Sequence, residues 1–398
     1  MTSSSKKPVS AANAAPPVET PRTDSLGARV AGGVLLVFMA IGLVGTLVAV
    51  ARERLDLAPH PITTEAFLDG ASMRDMAAAL AEAPMAKRAA TLERQASWLA
   101  IGDLGPQVRR GCRDWLFLAE ELAPQPNAAA HQDERAQAVV RIHDELRRRG
   151  IRLVVAVIPD KSRIEAAHLC GLDRPPVFAD RLDAWTGRLK AANVPVIDTT
   201  PALQGLQARG REPFLRTDTH WNEAGAAAAA QAIAAGVKAL GIVAEPHQAY
   251  AATASAPGPR PGDLVRLAGI DGLPTALQPA PEQDVTSRFT AQAPAGGKPG
   301  QAKSAEDELF GDHDLPTVAL LGTSFSRNSQ FADFLAAALE TPVPVFARDG
   351  GNFWGSAGAY FSSDAFEQTP PRLIVWEIPE RTLQLPPAAG ERWVLPAR

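Results

Sequence analysis

Cysteine is nearly absent from this 398-residue chain: Cys112 and Cys170 are the only two, and no C-x-x-C pair occurs. That excludes a disulfide-dense scaffold and a zinc ribbon. An excess of positive charge is also missing, since 40 Lys and Arg stand against 44 Asp and Glu for a formal net charge of -4. A general cationic surface for nucleic acid is thereby excluded as a first reading. Glycine (31) and proline (34) together make about a sixth of the chain, short of the quarter or more found in low-complexity polymers. The length admits one large domain or two medium ones with a full hydrophobic core.

What is present first is one long apolar run. Residues 30–51, VAGGVLLVFMAIGLVGTLVAVA, contain no charge, and at about 1.5 Å per residue they span a hydrocarbon core of about 30 Å. This predicts an uncut transmembrane anchor over 29–51. The rival is a signal peptide cleaved near Ala49-Val50-Ala51, but such peptides carry an apolar region of only about 7 to 15 residues. Lys6, Lys7, Arg22 and Arg29 precede the run while Arg52 and Arg54 follow it, a modest bias toward a cytoplasmic N-terminus. The lone span and the long chain beyond it predict export of everything after residue 51. Residues 1–28, rich in Ser, Ala, Pro and Thr, read as a disordered cytoplasmic tail. In an oxidising compartment Cys112 and Cys170 are able to pair and close a long loop. Two separate buried thiols are the alternative.

Residues 52–105 read as a helical juxtamembrane segment, with one or two amphipathic helices between 64 and 104. GCRDWLFL at 111–118 is a short strand or tight turn. Helical patterns then cover 128–149, 178–192, 222–240 and 328–339, and strand patterns cover 153–159, 194–198, 317–321, 343–346 and 373–378. This alternation predicts a three-layer α/β fold with a mainly parallel sheet over 106–383, followed by a tail at 384–398. A Pro/Gly-rich insertion at about 246–312 interrupts it and is expected to be partly mobile, with only GDLVRLAGI at 262–270 apolar enough to dock.

The densest chemical signal is LGTSFSRNSQF at 321–331, after an apolar strand and before a helical pattern. A serine there exposes its hydroxyl at the carboxyl edge of the sheet, where backbone N–H groups and a helix N-terminus stabilise an oxyanion. Ser324 is therefore a candidate nucleophile. The plainer alternative makes Thr323, Ser324 or Ser326 the N-cap of the next helix. The second signal is RTDTHWNEAG at 216–225. In an extended segment residues i and i+2 project to one side, so Asp218 can hold one nitrogen of His220 and leave the other free as a general base. The alternatives are a surface pair flanking the helix opened by Asn222, or two ligands of a metal. A metal needs a third and usually a fourth ligand, and the other histidines form no spacing pattern with His220, so neither metal nor cofactor is expected. The order Asp, His, Ser does not count against a triad, which is recognised by geometry.

At this point the motifs carry a resemblance. Trp115-Leu116-Phe117, Ile158-Pro159-Asp160-Lys161, TDTHWN at 217–222, Gly322-Thr323-Ser324-Phe325-Ser326 and Trp376-Glu377-Ile378-Pro379-Glu380-Arg381 together resemble the SGNH-hydrolase-like proteins of alginate O-acetylation. The resemblance implies an SGNH-hydrolase-like domain in the periplasm, anchored in the bacterial inner membrane, that moves acetyl groups onto hydroxyls of an exopolysaccharide. It implies Ser324 as nucleophile, His220 as base and Asp218 as orienter. It also adds a multispanning membrane-bound O-acyltransferase as the partner supplying acetyl groups. A carbohydrate acetylesterase and a non-catalytic subunit of an acetylation complex are the alternatives. Ordinary members of the wider hydrolase group carry Gly-Asp-Ser, with the Ser block before the Asp-His block. Here Thr323 stands second and the order is permuted, which favours the acetylation branch. The chain stops soon after the last strand, so grip on a polymer is expected from the catalytic domain or from partners, without an appended carbohydrate-binding module.

Beside the Ser324 N–H, the turn RDGGNFWG offers Gly350, Gly351 and Asn352 as oxyanion donors, or is simply a glycine-rich turn with Asn352 in a left-handed conformation. Trp221, Phe353 and Trp354 either stack on sugar rings or belong to the core. Asp160-Lys161 reads as an ion pair or cap at its strand end.

Overall fold

A run such as LVVAVI has no polar face, and a strand of that kind is stable only when covered on both sides. In the computed structural model, which describes residues 26–52, 55–58, 62–293, 315–388, 391–393 and 395, such runs form the sheet at the centre of the second of two units, Met1–Glu93 and Arg94–Arg398. The strands in chain order are β1 (Val108–Arg110), β2 (Leu116–Leu118), β3 (Arg152–Ile158), β4 (Val196–Asp198), β5 (Tyr250–Ala254), β6 (Gly258–Arg260), β7 (Glu282–Asp284), β8 (Ser287–Ala291), β9 (Val318–Gly322), β10 (Val345–Ala347) and β11 (Leu373–Pro379). Five of them make one parallel sheet in the order β10-β9-β11-β3-β4.

Alternate side chains of that sheet serve two separate cores. Val154, Ala156, Ile158, Leu320 and Val375 pack with the helices Glu223–Ala239 and Phe331–Leu339. Leu153, Val155, Val157, Leu321 and Trp376 pack with the helices Ala128–Arg148, Arg181–Ala191 and Gly355–Phe361. This is the expected three-layer α/β fold with a parallel sheet. Its carboxyl edge gathers the segments after β3, β9 and β11, which carry Lys161, Ser324 and Glu380.

The structure departs from expectation in several places. The helix expected at 328–339 begins only at Phe331, because Ser329 and Gln330 hold left-handed φ angles of 53° and 54°, and a 3-10 turn, Ser324–Ser326, follows β9 instead. The insertion is folded through residue 293: β5 pairs with β8, β6 pairs with β7, and a helical turn spans Asp263–Leu267. Its Pro and Gly residues sit largely in the bends between strands too short to show periodicity; residues 294–314 lie outside the described residues. Docking of 262–270 is as expected, with Leu264, Val265, Ala268 and Ile270 buried against Leu104, Val108 and Leu116. The segment read as a tail is partly packed: Gln384 is buried, and the Trp393 ring lies 5.2 Å from Phe353.

In the first unit, Leu26–Ala51 is a 26-residue helix containing an 18-residue stretch of mean hydropathy 2.7, covering the apolar run. Residues 1–25 of the expected tail lie outside the described residues, whereas 26–28 are helical. Beyond it come three helices rather than one or two, Thr64–Leu68, Ala71–Ala81 and Pro84–Ile101. Gly70, at φ 77°, and Pro84 supply the breaks.

Candidate active site

The Asp-x-His pair forms in a bend, not in an extended strand. The Asp218 carboxylate accepts the backbone N–H of His220 at 2.9 Å, and this local i to i+2 bond brings the two side chains together. Asp218 Oδ1 then lies 2.6 Å from His220 Nδ1, and His220 Nε2 lies 2.7 Å from Ser324 Oγ. With the Nδ1 proton donated to Asp218, Nε2 is left as the acceptor of the Ser324 hydroxyl. Asp218 and His220 are buried, while Ser324 is half-buried and so remains accessible. Burial opposes the Asp218 charge. The His220 side chain and the N–H groups of His220 and Asp263 nevertheless hold its carboxyl well below the usual carboxylate range.

The turn bearing Ser324 is held by a residue 51 to 54 positions further along the chain. Glu377 on β11 is fully buried and accepts the Thr323 N–H at 2.6 Å and the Thr323 and Ser326 hydroxyls at 3.1 and 3.0 Å. Burial pushes its carboxyl up, and these donors pull it back. Thr323 also accepts the Phe325 N–H at 3.3 Å, so it takes the capping role and Ser324 is free for His220. A Cβ on Gly322 would collide with Ser326 Oγ and Glu377, which explains glycine there. Because the helix starts at Phe331, its N-terminus does not act at Ser324 as expected; the amides of the turn stand there instead.

Gly350, at φ 65°, and Asn352, at φ 49°, adopt the left-handed turn conformation after β10. The Gly351 N–H donates to Arg348 O at 3.0 Å and is therefore engaged, contrary to its expected availability as an oxyanion donor. Among the described residues no hydrogen bond joins this turn to the triad. Trp221 has no exposed face to stack on a sugar: it is fully buried, 5.0 Å from the Phe325 ring and 4.7 Å from Phe331. Phe353 and Trp354 are likewise core residues around Trp376.

Asp160 and Lys161 do not pair with each other. Asp160 is bonded to Arg181 and lies near Arg174, and Glu380 joins this buried cluster through Arg163 at 2.6 Å and Arg174 at 2.9 Å. Lys161 donates to three backbone carbonyls, Leu116 at 2.6 Å, Arg216 at 2.9 Å and Asp218 at 2.8 Å. It thus fastens the Asp218 bend to β2. Burial pushes its amine down to about 8. Cys112 and Cys170 form a disulfide with Cα atoms 5.4 Å apart, beside Trp115, whose ring stacks on His168 at 4.2 Å.

Asp263, from the insertion, was not singled out by sequence reasoning. Its N–H donates to Asp218 Oδ2 at 3.1 Å, and its own Oδ2 stands 3.6 Å from His220 Nδ1. Asp218, His220 and Asp263 bring potential ligand atoms within 4.8 Å of one another. The 2.6 Å contact of His220 with Asp218 is, however, a direct hydrogen bond, whereas two ligands of one tetrahedral ion stand about 3 Å or more apart. A cavity of about 680 Å³ opens beside these carboxylates, with Thr217, Arg260, Arg266, Gln278 and Asn328 on its wall.

Residues 108–380 match the family described as SGNH hydrolase-like domain, acetyltransferase AlgX. A probable alginate O-acetylase AlgJ of Pseudomonas putida is 36% identical over 283 residues, 70% of this chain and 71% of its own length. Its counterpart in Pseudomonas aeruginosa is also 36% identical, over 284 residues, with 70% and 71% covered. The solved O-acetyltransferase domain of Pseudomonas putida AlgJ matches with a TM-score of 0.60 at 30% identity, covering 72% of this chain and 96% of that domain. The matched region contains the whole parallel sheet and the Asp218, His220 and Ser324 contacts, and the chain accordingly belongs to the SGNH hydrolase-like domain family of the acetyltransferase AlgX.

Proposed function

We propose that the protein is an O-acetyltransferase that moves acetyl groups onto hydroxyls of an alginate-like exopolysaccharide through an acetyl-Ser324 intermediate. The observation that carries this reading is the continuous chain Asp218, His220, Ser324, with contacts of 2.6 and 2.7 Å, in a relative of alginate O-acetylases. Ser324 Oγ gives its proton to His220 Nε2 and bonds to the acetyl carbon. The donor's C–O bond breaks, and its oxygen leaves with the proton from His220. An acceptor hydroxyl then passes its proton to Nε2 and attacks the same carbon, and Ser324 departs and recovers that proton. Asp218 orients the imidazole and stabilises the imidazolium in both halves. The Ser324 N–H is the first oxyanion donor; removing one such donor costs about 3 kcal/mol of transition-state stabilisation. The cavity beside the triad suits the acceptor sugar, and exposed Arg266 on its wall suits a carboxylate-bearing one.

The 26-residue apolar helix supports an inner-membrane anchor with the catalytic unit in the periplasm, and the disulfide supports an oxidising compartment. Acetyl groups must then reach Ser324 from across the membrane, the role of a membrane-bound O-acyltransferase partner. The test is mass spectrometry of the detergent-solubilised full chain incubated with an acetyl ester, with and without a uronate oligosaccharide. Acetyl-Ser324 that passes to the oligosaccharide is expected. Acetyl lost to water regardless of acceptor indicates an esterase, and no acetylation of wild type indicates a non-catalytic subunit. Full activity in Ser324→Ala overturns the nucleophile.

A further inference from the structure

We infer that Asp263, carried by the insertion, is a second carboxylate partner of the catalytic imidazole, a positioning residue that stabilises the imidazolium formed when Ser324 is deprotonated. This rests on the triad reading given above.

The Asp263 carboxylate is fixed, not swinging: Oδ1 accepts the Thr219 N–H at 2.7 Å and the Thr219 hydroxyl at 3.0 Å. That leaves Oδ2 directed at His220, 3.6 Å from Nδ1. The Asp263 N–H meanwhile donates to Asp218 Oδ2, so one residue braces the first carboxylate with its backbone and adds a second with its side chain. Gly262 makes this approach possible, since a Cβ there would collide with the Thr217 carbonyl. The other groups facing the imidazole are few. Ser324 Oγ meets Nε2, the Phe325 ring stands edge-on at 4.9 Å, and the Arg381 guanidinium lies over that ring, 5.4 Å from its centre. The Lys161 amine reaches the Asp218 carbonyl and no imidazole atom. The two carboxylates are thus the only charges in contact with the imidazole among the described residues. Burial, and then the Asp218 charge, hold the Asp263 carboxyl above the ordinary range, while His220 and the Thr219 donors draw it back.

The sign of the effect follows. A negative charge beside an imidazole favours its protonated form, so loss of the Asp263 charge is expected to lower kcat and to move the acid limb of its profile to lower pH. The experiment compares kcat and KM for acetyl transfer from an acetyl ester to a uronate oligosaccharide across the acid and neutral range, on full-length wild type, Asp263→Asn, Thr219→Val and Ser324→Ala. Asp263→Asn keeps the backbone N–H and one side-chain oxygen for the Thr219 donors, but replaces the other oxygen with an amide donor and loses the charge. Its expected result is a kcat lowered about tenfold with KM little changed, and an acid limb of the kcat profile moved down by about one pH unit. Thr219→Val removes one donor to Asp263 and moves the limb the same way by less. A purely structural residue would change the melting temperature and leave the limb in place. A folded Asp263→Asn variant with the wild-type limb overturns the inference. If that variant does not fold, Thr219→Val decides, and an unmoved limb there overturns it. Activity surviving in Ser324→Ala is a different failure, that of the triad reading itself.

Discussion

Glu377 shows how much of Ser324's placement, and so of the proposed nucleophile's, is due to a residue that never meets it. Its carboxylate holds the Thr323 N–H and two hydroxyls of the turn while Ser324 alone is left for His220. Glu377→Gln puts an amide donor where the turn presents donors, leaving at least one of them buried and unpaired. Expected are a stability loss of about 1–3 kcal/mol by chemical denaturation and a fall in kcat larger than any change in KM. Lys161→Met leaves three buried carbonyls without their common donor, and its expected cost of about 3–5 kcal/mol is read from the denaturation midpoint. These residues also mark the limit of legibility. Ser324, His220 and Asp218 are readable because two of them sit two residues apart and the third ends an apolar strand. Lys161 and Glu377 bind groups 45 to 57 residues away along the chain, many of them backbone atoms that no spacing pattern reveals. Trp221, open in the sequence to sugar stacking or to the core, takes the core role, buried between Phe325 and Phe331.

Among the elements, the long strands and helices were legible because each must bury a continuous apolar face, and β3 and β11 pair along their full lengths. The insertion was not, because strands of three to five residues between prolines are too short to show a period of two. The missed start at Phe331 has a similarly local cause, two consecutive left-handed residues that composition does not announce. The disulfide belongs to this scale, since it ties the β1–β2 hairpin to the segment after β3 across 58 residues. A crosslink closing a loop of that length stabilises by up to about 4 kcal/mol. Cys112→Ser, and reduction of wild type by dithiothreitol, are both expected to lower the melting temperature by similar amounts; a melt indifferent to reductant would exclude a stabilising crosslink.

For the whole molecule, the Leu26–Ala51 helix presents apolar side chains all round, with Leu36, Phe38, Met39 and Leu43 each more than half exposed. Such a surface in water is an aggregation hazard and in a bilayer is simply solvated. The full chain is expected in the membrane fraction, and removal of residues 1–52 should move it to the soluble fraction with formation of acetyl-Ser324 retained. Fractionation and mass spectrometry check the two halves separately. Retention of the shortened protein on membranes would shift the anchoring to some other surface.

The close approach of Gly262 to the Thr217 carbonyl has a bearing on how such proteins diversify. Where insertion and catalytic bend interlock at backbone distance, neither can be exchanged without the other. A chimera that borrows a relative's insertion to change its acceptor is therefore expected to fold only when the Asp218 bend is brought along with it.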